Sequence, residues 1–131
     1  MEKTIKRISL YLFCIYIIAV LTLCLIHTDS MPELPKSLFG IPLDKVFHFI
    51  MFLPFMILGY STFHPINRSI LRKLAVLVIL SIMGCAFALA TERLQAMTAH
   101  RSYELLDMAA DCSAIAAGTL ITLIYIVKTH K

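Results

Sequence analysis

Charge is scarce in this chain. Of its 131 residues only 15% are charged while 60% are hydrophobic, and the mean hydropathy is +0.85. A soluble domain carries roughly a quarter of its residues as Asp, Glu, Lys or Arg. The deficit excludes an ordinary water-soluble globule and points to lipid as the main solvent. Cysteine pairs are missing as well. Cys14, Cys24, Cys85 and Cys112 all fall inside apolar runs and none forms a CxxC motif. A disulfide framework in loops is excluded, and the four read as small apolar packing residues. Leu21-Thr22-Leu23-Cys24 has only a faint likeness to a lipoprotein cleavage site, since a large residue precedes the cysteine. The first apolar run is also long for a signal peptide, so an uncleaved helix is expected there. The chain contains no internal repeat and no low-complexity segment, and its length suits a single domain.

What is present is a set of four long apolar stretches, Ile8–Ile26, Val46–Phe63, Leu74–Thr91 and Leu105–Val127. Each is about 18 to 23 residues long and, as a helix, crosses about 30 Å of hydrocarbon. Helix is the expected state because a lone strand leaves its backbone unsatisfied in lipid. The predicted fold is therefore an all-α membrane protein, a bundle of four transmembrane helices forming one domain. Pro32, Pro35, Gly40 and Pro42 punctuate the first loop, and Pro42 sits just ahead of the second helix. His64-Pro65-Ile66-Asn67-Arg68 makes a short second turn. Pro54 and Gly59 are expected to bend the second span.

Basic residues set the expected orientation. Lys3, Lys6, Arg7, Arg68, Arg72, Lys73, Lys128 and Lys131 fall on one side with Glu2 as the sole acid. The other side has Lys36, Lys45, Arg93 and Arg101 against Asp29, Glu33, Asp44, Glu92, Glu104, Asp107 and Asp111. The two sides carry +7 and −3, which together give the net +4 of the chain. By the positive-inside rule both termini are expected in the cytoplasm. The same asymmetry accounts for the pI of about 9.0 without any nucleic-acid partner.

The chemistry-bearing residues gather on the acidic side. Asp44, Lys45 and His48 open the second helix, and a spacing of four puts Asp44 and His48 on one face. Glu92 and Gln95 follow the third span, while Arg101, Glu104, Asp107 and Asp111 lead into the fourth. At about 100° per residue, Glu104, Asp107, Asp111, Ala114 and Gly118 share a stripe roughly 80° wide. A carboxylate near the bilayer centre costs about 2.5 to 3.5 kcal/mol, so this stripe is expected to face protein or a wet cavity. Ala114 and Gly118 would let another helix approach closely below the acids.

The order Asp44-Lys45-x-x-His48-Phe49, then Glu92-x-x-Gln95, then Arg101 with Asp107 six residues on, resembles the VanZ-like family of small membrane proteins. The resemblance runs from the second span through the fourth. The family pattern places an asparagine four residues after the final aspartate and then two glycines. Here those positions are Asp111, Ala114 and Gly118. The resemblance implies a multi-pass protein of the bacterial plasma membrane, from a family associated with resistance to the glycopeptide teicoplanin.

Three readings of the cluster compete. In the first, it is a polar pocket for an anionic cell-envelope lipid or a lipid-linked headgroup, with Arg101 and Lys45 supplying positive field. Asp44, Gln95, Glu104 and Asp111 would complete its lining. In the second, His48, Glu92 and Asp107 supply acid–base catalysis on a lipid or cell-wall precursor. In the third, Lys45 or Arg101 pairs with Glu92, Glu104 or Asp107 only to tie helix ends together. No HExxH or comparable spacing is present, so neither metal nor cofactor is expected. No Ser, Thr or Cys lies in a nucleophile motif, although Ser102 adjoins the cluster. His27, His64, His100 and His130 fall in loops or tails. Tyr11, Tyr16, Tyr60, Tyr103 and Tyr125 read as an aromatic belt near the span ends, and Met51, Met56 and Met83 as packing.

A shared pocket requires its parts to lie on one side of the membrane. Single cysteines introduced near Asp44, Glu92 and Asp107 should all react with an impermeant thiol reagent from the same side of sealed vesicles. Labelling from opposite sides would rule out a common cavity.

Overall fold

The computed structural model describes residues 1–25, 37–98 and 105–130. Its elements in chain order are α1 (Glu2–Leu25), a small hairpin of β1 (Ser37–Leu38) and β2 (Ile41–Pro42), α2 (Leu43–Phe52), α3 (Pro54–Phe63), α4 (Ile70–Thr98) and α5 (Leu105–His130). With α2 and α3 taken as one interrupted span, four segments are long and apolar enough to cross a membrane. The fold is an all-α four-helix bundle. Arg101 and Glu104, together with Ser102, His27, His100 and Tyr103, lie outside the described residues.

The outer surface of the bundle shows why it needs lipid. Ile15 and Ile18 on α1, Ile79 and Ile82 on α4, and Leu120 and Ile124 on α5 all point outward. Apolar patches of that extent are rare on soluble monomers. The interior combines aromatic and aliphatic side chains with buried polar residues. An aromatic chain crosses the interior, with Phe13 edge-on to Phe55 at 5.5 Å and Phe87 next to Phe55 at 5.8 Å and to Phe52 at 5.7 Å. Met56, Leu77, Leu80 and Ile115 fill the space around it. The helix α3 packs against α1, α4 and α5, while α2 lies mainly on α5.

Pro54 interrupts the second span as expected. Proline has no N–H to give to the preceding turn, so α2 ends at Phe52 and α3 starts at the proline. Leu53 between them keeps helical dihedrals, φ −57° and ψ −43°. Beside the break the Met51 carbonyl accepts a hydrogen bond of 2.6 Å from the Tyr16 hydroxyl of α1. Tyr16 is thus a tie between helices at the interruption, a role that the belt reading does not supply.

Two local features extend the sequence reading. The first loop carries the β1–β2 hairpin, whose two-residue turn places Phe39 at φ 52° and Gly40 at φ 78°. Positive φ at both central residues suits the twist of a tight hairpin. The helix α4 is also longer than its apolar run. Its 29 residues span roughly 43 Å, which carries Glu92 and Gln95 on the same continuous helix as the third span.

The close approach expected at Gly118 is present. A methyl group there would stand 2.8 Å from Met56 Cβ and 3.2 Å from the Leu53 carbonyl oxygen. The α2–α3 junction therefore rests directly on the backbone of α5. Gly118→Ala should destabilise the bundle by about 1–3 kcal/mol, the usual range for overpacking. Thermal unfolding in detergent reads this, and an unchanged midpoint would contradict the contact.

Candidate functional site

Three helices deliver the site. The helix α2 contributes Asp44, Lys45 and His48, α4 contributes Glu92, and α5 contributes Asp107 and Asp111. These residues sit together at the end of the bundle away from the N-terminus. At the opposite end, Lys6 Nζ donates to the His64 carbonyl over 2.9 Å and so joins the start of α1 to the turn after α3.

His48 is the centre of the arrangement. It is buried, and its Nδ1 lies 2.9 Å from Asp111 Oδ1 and 3.8 Å from Glu92 Oε1. Its Nε2 faces Asp107 Oδ2 at 3.8 Å. An ionised carboxylate only accepts hydrogen bonds, so with Asp111 ionised the imidazole Nδ1–H is the donor. Lys45 stands about one turn closer to the start of α2. Its ammonium donates to Asp44 over 2.7 Å and to the buried Asp107. The Asp107 carboxylate thus lies between a lysine and a histidine, both from α2.

Burial grades from rim to interior. The Asp44 side chain is 42% exposed, Lys45 11%, Asp107 4% and Asp111 0%. Asp44 and His48 share a helical face but do different things, since Asp44 pairs with Lys45 at the rim while His48 turns inward. The stripe on α5 follows the wheel. Asp107, Asp111, Ala114 and Gly118 are all buried, and Thr122 continues the line. The helix hides its carboxylates among protein groups because lipid offers them no partner.

Gln95 also makes a contact between helices. It is buried on α4, and its side-chain amide donates to the Cys24 carbonyl of α1 over 3.0 Å. That contact anchors α1 to α4. Thr91, beside Glu92, donates back to the Ala88 carbonyl. Position 111 proves more central than its place as a lining residue suggested, because it is the carboxylate nearest to His48. The spacing Asp107–Asp111 signals a shared face, but only the packing of α2 on α5 reveals which acid meets the imidazole. A groove of about 450 Å³ lined by Ile5, Tyr60, His64 and Tyr125 lies at the other end of the bundle and takes no part in this site.

Four carboxylates therefore surround one lysine and one histidine among the described residues. The arrangement can hold and pass a proton through His48, or bind a cationic or hydroxyl-bearing group against the acids. It can also bring the Lys45 ammonium near an anion. One donor atom each from His48, Glu92 and Asp111 lies within 4.8 Å of the others, a spacing compatible with a shared cation. Comparison with protein-family models, curated proteins and solved structures gives no match to this chain.

The Lys45–Asp107 pair makes the strongest energetic demand. Removing one partner of a buried ion pair costs about 3–5 kcal/mol, because the other charge stays buried without compensation. Lys45→Met should destabilise by that order, with Asp107 left among further acids. The double variant Lys45→Met, Asp107→Leu should recover much of the loss. Equilibrium unfolding of the three proteins in one detergent tests this, and equal stability of Lys45→Met and the parent chain would refute it.

Proposed function

We propose that this chain is a VanZ-like protein of the bacterial plasma membrane that binds, or acts on, an anionic cell-envelope lipid or its headgroup at the extracytoplasmic face. One observation carries the reading. Residues that the sequence scatters over three spans, Lys45, His48, Glu92, Asp107 and Asp111, form one buried polar cluster at one end of the bundle. Buried ionisable groups inside a membrane protein are costly and mark function by default. The excess of basic residues at the other end supports cytoplasmic termini through the positive-inside rule, which leaves the cluster toward the outside.

In this reading Lys45 and Arg101 attract the anionic part of the headgroup, while the carboxylates select its hydroxyl or amine groups. Asp44, on the half-exposed rim, would meet the ligand first. Negative charge dominates the described part of the site. A bare anion is therefore a poorer fit than a headgroup that also offers donors or positive charge.

The placement of His48 favours a second reading, an acid–base enzyme of lipid or cell-wall precursor chemistry. An imidazole with carboxylates near both nitrogens is held in a fixed orientation, as a general base requires. Asp111 at 2.9 Å is better placed to orient it than Glu92 at 3.8 Å. Here His48 would carry the proton, Asp111 would hold the ring, and Glu92 and Asp107 would shape the field.

Purification in native membrane patches with mass spectrometry of the retained lipids separates the readings. An Arg101→Ala, Glu92→Gln variant of equal abundance should retain about tenfold less of the bound lipid, the equivalent of roughly one charge-assisted hydrogen bond. Identical lipid profiles in the two proteins would defeat the pocket. Retained binding with lost turnover in His48→Ala would select the enzyme.

A further inference from the structure

We propose that His48, Glu92 and Asp111 form a binding site for one first-row divalent metal ion of the zinc or manganese type. Three independently positioned helices, α2, α4 and α5, each contribute one donor residue, and the donor atoms lie within 4.8 Å of one another. All three side chains are more than nine-tenths buried. Ligands at about 2.1 Å from a tetrahedral centre stand roughly 3.4 Å apart. The two distances from His48 Nδ1, 2.9 Å to Asp111 and 3.8 Å to Glu92, bracket that value, so small side-chain movements suffice to seat an ion.

A second observation points to a ligand. The Asp111 side chain is wholly buried, and while one of its oxygens meets His48, Oδ2 has no hydrogen-bond partner among the described residues. An unsatisfied carboxylate oxygen at that depth needs a proton or a cation. A divalent ion neutralises Glu92 and Asp111 together and replaces the proton on His48 Nδ1.

The surroundings of the imidazole suit the same role. With Nδ1 on the metal, Nε2 carries the remaining proton and faces Asp107 Oδ2 at 3.8 Å. Asp107 is in turn held by Lys45. Metal-bound histidines commonly turn their second nitrogen toward a carboxylate, which fixes the ring and raises its basicity. One imidazole and two carboxylates suit zinc or manganese better than calcium or magnesium, which favour all-oxygen shells. Three protein donors also leave a position for water or an oxygen of a ligand, the pattern of catalytic rather than structural zinc. Sequence spacing hides such a site because no two of its ligands share a helix.

The site stands apart from the lipid reading, since metal binding is measured with no lipid ligand added. Full-length protein without a histidine tag is stripped with chelator and titrated with zinc or manganese chloride, with bound metal counted by elemental analysis. One ion per chain is expected. Asp111→Asn and Glu92→Gln should abolish stoichiometric binding, and Asp107→Asn should weaken it about 10- to 100-fold. Should the isosteric variants fail to fold, X-ray absorption of the loaded parent protein decides instead, with one imidazole and carboxylate oxygens expected at about 2.0–2.2 Å. Substoichiometric binding, unchanged binding in Asp111→Asn, or a metal shell lacking imidazole would overturn the proposal.

Discussion

Ionised groups cannot be left facing hydrocarbon, and that constraint organises this bundle. Four carboxylates, a lysine and a histidine gather at one end of a bundle whose spans are otherwise apolar, and each carboxylate exposed near the bilayer centre would cost about 2.5 to 3.5 kcal/mol. The helices answer by turning Asp107 and Asp111 of α5 toward Lys45 and His48 of α2, with Glu92 of α4 completing the enclosure. Pairing fixes the rotation of α2 and α5 about their axes more strictly than apolar packing alone, because Leu or Ile is nearly as comfortable against lipid as against protein.

That polar contact requires close helices below it. Gly118 lacks the side chain that would hold the α2–α3 junction away from α5. Pro54 breaks the second span at the level of this contact, so that α2 and α3 need not follow one straight axis. Tyr16 secures the interruption from the other side through the Met51 carbonyl. A small residue, a proline and a half-buried tyrosine hydroxyl thus shape the contact of α2 and α3 with their neighbours, in which His48 lies within hydrogen-bond distance of Asp111.

Chemically, the cluster is graded. A half-exposed aspartate and a lysine lie at the rim, a histidine flanked by carboxylates lies behind them, and a fully buried aspartate is innermost. Structural pairing accounts well for Lys45 and Asp107, whose charges cancel. It accounts less well for Asp111, a wholly buried carboxylate whose Oδ2 has no hydrogen-bond partner among the described residues and which adds negative charge beside a single imidazole. The surplus is the feature on which a ligand, a proton or a metal ion would act, and it connects the headgroup, acid–base and cation readings.

Transmembrane architecture was legible in the residues because lipid solvation acts on composition. An apolar run of the right length must become a helix whatever surrounds it, and the uncharged first and third spans left no alternative. The acidic stripe of α5 was equally readable, since Asp107, Asp111, Ala114 and Gly118 lie on one face by helical geometry alone. Other features needed the third dimension. The β1–β2 hairpin depends on two left-handed dihedrals, at Phe39 and Gly40, of which only the glycine is announced by residue type. Gln95 bonds to Cys24 of α1, a contact that its spacing from Glu92 does not announce. Which carboxylate meets His48 was decided only by the packing of α2 on α5, because the partners are 63 residues apart and helical periodicity carries no information about a neighbouring helix.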